Sequence, residues 1–175
     1  MPKVKWIIDP VHSEIEFKVK YLMITNVIGR FERFDMTVET EEENFNTGKV
    51  WFSADVDSLE TNDHERNGHL KSPDFFDIAA YPHIIFESGD MKVDGEVGEI
   101  SGNLTIKNTT RPVTFKVDFG GVTMDMYGTT RAGFSISTEI DRKEFGLRWN
   151  SILEGGGMMV GDKVRISGEI QLVKR

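Results

Sequence analysis

Four histidines, His12, His64, His69 and His83, are the side chains of this sequence best suited to proton transfer or metal ligation. His64 and His69 lie five apart in a segment that reads as helix, so their rings diverge, whereas an i,i+4 pair would share a face. Asp63 and Glu65 flank His64 but point elsewhere around the same turn. A zinc or iron site would need His12 or His83 to arrive from a distant part of the chain; hydrogen bonding at a rim or in a second layer is the plainer role. Ser13 beside His12 and Ser88 near His83 offer hydroxyls, yet Gly-x-Ser-x-Gly is absent and no acidic spacing completes a triad. Gly155-Gly156-Gly157 precedes Met158-Met159 without a phosphate-reaching lysine, so it reads as a rim loop and not as an anion cradle. The chain has no cysteine, which excludes thiol catalysis, iron-sulfur ligation and cysteine-rich zinc sites. The reading is of a protein that is not an enzyme, with no catalytic residue and no metal ligand assigned.

Those residues sit in a chain of 175 residues, enough for one domain over 1–175 with a core that needs no covalent staple. Lysine and arginine number 21 against 29 aspartates and glutamates, a net charge of -8 that repels nucleic acid and anionic lipid heads. No uninterrupted apolar run approaches the roughly 18 residues that span hydrocarbon, so stable membrane insertion is not expected. The opening Met-Pro-Lys-Val-Lys-Trp moves directly into a strand without a secretory leader. A cytoplasmic location is expected from the sequence as given, and a periplasmic one if a leader has been removed.

Period-two alternation dominates what remains. Glu14 to Tyr21 places apolar side chains at every second position, and the pattern returns at Val50, Phe52, Ala54, Val56, at Val113 to Phe119, and at Val164 to Leu172. Asp9-Pro10 marks a turn. Tyr21 to Ile24 reads as one helical turn covering an opening, and the step from Phe31 to Phe34 as a bulge in a second strand. Asn62 with Glu65 makes a capping box for a short helix between 61 and 71. Ser72-Pro73 gives a second start signal before a turn carrying Phe75 and Phe76. From 90 onward strands are expected at about 90–94, 96–107, 111–119, 122–138 and 160–174, with 141–159 as a long excursion at the rim. Short links between sequential strands indicate an antiparallel meander. The fold class is all-β: an extended eight-stranded antiparallel barrel, lipocalin-like, with one short helical insertion, and a two-sheet sandwich is its competitor.

Twelve phenylalanines and eight methionines recur on the dry faces and in rim segments, among them Phe115, Met124 and Met126. Phenylalanine makes large rigid walls and methionine conforms around an irregular guest. The same side chains could equally fill the barrel solidly, and the residues alone leave both readings open.

The chain resembles the YceI-like family over nearly its whole length. The resemblance is carried by Arg66 to Asp77, by Tyr81-Pro82-His83-Ile84-Ile85-Phe86-Glu87-Ser88, and, in order around them, by Trp6 to Asp9, Gly29-Arg30-Phe31, Gly102 to Ile106, Thr110 to Val113, Arg131 to Phe134, Asp141 to Gly146 and Val160 to Val164. It implies a lipocalin-like barrel whose apolar tunnel holds a long polyisoprenoid or a quinone-like lipid, often in a homodimer. Tyr21 stands where members often carry histidine. Ligand-contacting residues are then expected at Phe17, Val19, Tyr21, Phe31, Phe34, Met36, Phe52, His69, Phe75, Phe76, Phe86, Phe134 and Ile136. Arg66, His69 and Lys71 are the mouth candidates, although Arg66 would serve as well by pairing with a loop carboxylate. The expected function is noncatalytic binding, storage or transport of such a lipid. The alternatives are a stress-related barrel without ligand and a histidine-dependent metal protein or enzyme.

Overall fold

The computed structural model describes residues 2–175, the Asp90 side chain excepted. Its strands are β1 (Lys3–Ile8), β2 (Glu14–Tyr21), β3 (Thr25–Phe31), β4 (Phe34–Glu41), β5 (Asn44–Asp55), β6 (Leu59–Glu60), β7 (His83–Asp94), β8 (Val97–Ile106), β9 (Thr109–Met124), β10 (Thr130–Asp141) and β11 (Val160–Lys174), with one helix, α1 (His64–Lys71), between β6 and β7. All pairings are antiparallel. The order β1-β4-β5-β7-β8-β9-β10-β11 closes on itself where β1 pairs β11, giving an eight-stranded barrel, and β2, β3 and β6 continue the sheet outward from β11. Closure removes the exposed edges that an open sheet of this length would carry.

The extra strands come from breaks. β1 and β2 lie along the same neighbour, Ile8 opposite Leu172 and Glu14 opposite Glu169. A 3-10 turn at Pro10–His12 separates them, capped by the Asp9 side chain on the Val11 N–H. The predicted bulge between Phe31 and Phe34 is instead a second break, at Glu32 and Arg33, where both backbone N–H groups donate to Ser58 Oγ. A buried serine thereby supplies the bonds the ladder loses.

Three further expectations are corrected. Tyr21 to Ile24 is not helical: Leu22 (φ 54°) and Met23 (φ 64°) form the left-handed centre of a tight hairpin between β2 and β3. The helix is capped by Asp63, whose Oδ1 accepts from Glu65 and Arg66, and not by Asn62; Ser72 ends this helix instead of starting another. Residues 122–138 divide between β9 and β10, because Asp125 folds the chain back by accepting from the N–H groups of Tyr127 and Thr129. Met124 and Met126 therefore stand on the free end of that hairpin, 65% and 87% exposed, and contribute nothing to the interior.

The two ends of the barrel differ. At one end Trp6, fully buried, donates its indole N–H to Thr40 Oγ1 at 3.0 Å. Its ring lies 4.8 Å from Phe45, which meets Phe134 at 5.0 Å and Phe119 at 5.6 Å. This four-ring cluster plugs the end served by the hairpins β4–β5, β7–β8 and β9–β10. The other end carries α1, the β2–β3 hairpin and the 142–159 excursion, and it is open.

Candidate functional site

Inward-facing side chains of the strands enclose a cavity of about 600 Å³, within the range of small-molecule sites. It runs from Ile170 and Leu172, near the plug, up to Tyr21, His69, Trp149 and Met159 at the open end. Of the residues expected as ligand contacts, Phe17, Val19, Tyr21, Phe31, Met36, Phe52, His69, Phe75, Phe76, Phe86, Phe134 and Ile136 all line it. Phe34 does not. Beside the break at Glu32 and Arg33 it packs against the core from the start of β4 without reaching the cavity wall. The tip of the Phe17 ring lies over Gly29 across the β2–β3 pair. A Cβ there would come within 2.1 Å of its Cζ, so Gly29 keeps this ring along the wall and out of the lumen.

The mouth is held by polar latches more than by burial. Helix α1 has no buried residue. Asn67 ties it to the barrel, its Oδ1 accepting from the Thr61 N–H at 2.9 Å and the Thr61 hydroxyl at 2.6 Å, while its amide donates to Glu60. That bond, the first cause, holds the Glu60 carboxyl below its ordinary range. Arg66 donates from Nε to Thr61 Oγ1 at 2.9 Å and from its terminal nitrogen to the Thr61 carbonyl, so it pairs with no loop carboxylate. Lys71 does not line the cavity; its Nζ is 3.2 Å from Asp57. His69 faces the cavity, donating Nε2–H to Asp74 at 2.9 Å while its ring stands edge-on to Trp149 and Phe75 at 4.6 and 5.1 Å.

Arg142 is the residue that sequence reasoning missed. It is 3% exposed and lines the cavity. Its guanidinium donates to the carbonyls of Gly161 (2.8 Å), Leu147 (2.6 Å) and Trp149 (3.0 Å), with a long 3.4 Å contact to Val160. Burial presses its basicity below the ordinary arginine value, partly offset by Asp162 and Asp141. Those carboxylates belong to other partners, Lys143 and Lys163. Arg142 thus pins the rim loop to β11 and leaves a cation at the cavity wall without a direct carboxylate. Period two could not find it, because it lies in a 3-10 turn (Arg142–Phe145) just past the end of β10.

The histidines do not converge. His12 bonds Asp9, His64 opens α1 at the surface, and His83 starts β7 opposite Asp55. Among the described residues, no three His, Asp or Glu side chains gather as metal ligands would. Ser13 and Ser88 are spent on backbone: Ser13 Oγ accepts from the Gln171 N–H at 3.0 Å and Ser88 Oγ from the Val50 N–H at 3.2 Å. No helix among these residues is long and apolar enough to cross a membrane, which says nothing about strands.

Comparison with known proteins bears on the same region. The profile of a family described as the YceI-like domain matches residues 6–172. A UPF0312 protein of Staphylococcus aureus is 35% identical over 164 residues, covering 93% of this chain and 94% of that protein. BcnA of Burkholderia cenocepacia superposes with a TM-score of 0.81 at 23% identity, over 94% of this chain and 98% of BcnA. A domain of Saccharophagus degradans, described as polyisoprenoid-binding and implicated in plant cell wall breakdown, superposes with a TM-score of 0.71 at 13% identity, over 97% and 98% of the two chains.

Proposed function

The chain belongs to the YceI-like domain family, and on that premise we propose that it is a noncatalytic carrier that takes the tail of a long isoprenoid or similar amphiphilic lipid into its barrel. The observation that carries this reading is the cavity of about 600 Å³, walled by apolar side chains from Leu172 at the plug to Trp149 at the mouth. Each methylene moved from water into such a space contributes roughly 0.8 kcal/mol, so a tail of about twenty carbons gains about 16 kcal/mol before ordering costs take most of it back. Greasy walls discriminate length weakly. Selectivity therefore rests at the mouth, where Arg142, Arg66 and His69 face the opening. The fold's distant relative with a polyisoprenoid-binding description supports the choice of ligand class. The family resemblance supports a homodimer as the working assembly.

Native mass spectrometry of freshly purified protein, followed by challenge with geranylgeraniol, tests the reading. A co-purifying or captured isoprenoid, one per chain, is expected. Ala54, 1% exposed on the cavity wall, supplies the control: Ala54→Phe fills the lumen and weakens capture about tenfold or more while the barrel still folds. Protein that stays empty under saturating challenge, or capture unaffected by the blocking side chain, overturns it.

A further inference from the structure

At the open end, apolar side chains point away from the cavity into solvent. Met23 and Ile24 at the β2–β3 hairpin are 63% and 77% exposed, Ile28 is 51%, and Ile152 and Met158 across the mouth are 76% and 41%. These belong to one rim. The Leu22 N–H donates to the Met159 carbonyl at 2.8 Å, Ile152 and Met158 bridge each other, and Met23 lies so close to Gly157 that a Cβ there would be 2.2 Å from its sulfur. Tyr21 and Val27 just below the hairpin, and Met159 just below the loop, line the cavity. The collar is therefore continuous with the entrance.

Two further observations single the collar out. The hairpin centre places Leu22 and Met23 at φ 54° and 64°, a conformation that favours glycine or asparagine, so the exposed Met23 and the half-buried Leu22 are held here at a conformational cost. The charge along the outward face of β2 also changes toward the tip, from Glu14 and Glu16 to Lys18 and Lys20, with Lys18 directly opposite Ile28. Apolar side chains with a pair of lysines on one flank, a local exception to the net charge of -8, that can keep their ammonium groups in water have the composition of an interfacial anchor. Cargo chemistry favours the same occupant. A tail that leaves the cavity through water must expose every methylene it had buried, whereas a mouth seated on a bilayer passes it from one apolar phase to the other.

We propose that this collar, Met23, Ile24, Ile28, Ile152 and Met158 with Lys18 and Lys20 beside them, docks the open end on a phospholipid surface and that cargo is exchanged there by contact. The inference rests on the lipid-carrier reading, and the test separates the two. A fluorescent geranylgeraniol analogue is first bound to the protein without vesicles; if none binds, the carrier reading fails. Loaded protein is then mixed with phosphatidylcholine vesicles, with and without phosphatidylglycerol, and transfer is followed by stopped flow, with flotation reporting docking. Contact exchange requires a transfer rate that rises with vesicle concentration.

The variant Ile24→Asn/Ile152→Ser leaves the cavity wall untouched. It should keep vesicle-free affinity and slow transfer by about tenfold or more, with a matching loss of flotation. Lys18→Glu, a surface change that keeps the fold if the double variant does not, should reduce transfer to the phosphatidylglycerol vesicles more than to phosphatidylcholine alone. Transfer independent of vesicle concentration, unchanged transfer in the folded variants, or a self-association that the collar substitutions abolish would each overturn the proposal.

Discussion

The closed and open ends of this barrel are made of the same strands and solve opposite problems. At the closed end four aromatic rings meet at 4.8 to 5.6 Å, and the one buried indole donor is satisfied by Thr40, whose hydroxyl passes on to the Glu42 carbonyl at 2.6 Å. At the open end Trp149, His69 and Phe75 also meet in a cluster, but around an entrance, on segments held by hydrogen bonds to a helix without a buried residue and a loop pinned by one arginine. Packing density at one end supplies the stability that lets the other remain hollow. A cavity forfeits the dispersion contacts a filled core would make, so the plug must hold the barrel closed without help from the lumen.

Trp6→Ala attacks that contrast most directly. It removes the largest ring of the plug, packed on Phe45, and takes from the buried Thr40 hydroxyl its one donor, which should lower stability by about 3–5 kcal/mol in a denaturant titration. A loss comparable to a surface change would mean that the two ends share the load equally. Arg142→Met is the corresponding change at the mouth. It frees the carbonyls of Gly161, Leu147 and Trp149, with an expected loss of about 2–3 kcal/mol. Hydrogen exchange should localise the loss to 146–161 and leave the plug protected.

Acid sharpens the difference from the other side. Beside the β1–β2 break, Asp9 is held down to about 2 from an ordinary 3.8, first by its hydrogen bond from His12 and then by that from Arg131, which also binds Asp125 at 2.9 Å. A depressed carboxyl stabilises the fold fully above its unfolded value, and the contribution fades as pH falls from about 4 toward about 2. After solvent screening the expected loss across that window is about 1 kcal/mol, and Arg131→Met should shrink it while leaving the larger part that His12 supplies. The smallest effect belongs to the hairpin tip. Leu22→Asn/Met23→Gly suits the left-handed backbone better and should stabilise by about 0.5–1 kcal/mol, readable as a small rise in Tm. A destabilisation would show that those side chains are held by packing instead of being displayed.

Much of this architecture is written in local alternation. A strand such as β2 sends Ile15, Phe17, Val19 and Tyr21 to one face whatever its neighbours are, because successive Cβ atoms alternate by geometry alone. That is why the sequence by itself determined antiparallel strands with one dry face and which side chains lie on it, while closure into a barrel and the choice of cavity wall also drew on the family resemblance. Tertiary structure decided the rest. Phe34 has the right parity but sits next to a break, and Met124 and Met126 lie on a hairpin that outruns its neighbour β8, whose last pairing with β9 is Val97 to Asp118. Whether twelve phenylalanines interlock or leave a hollow depends on which rings reach the axis: four of the large rings meet in the plug, while Phe17 is drawn to the wall over Gly29. Arg142 and the collar became visible only when the 142–161 segment was folded back on itself and Met23 was brought beside Gly157 at one rim. Period two is a property of neighbours along the chain, whereas a mouth is a property of the closed ring.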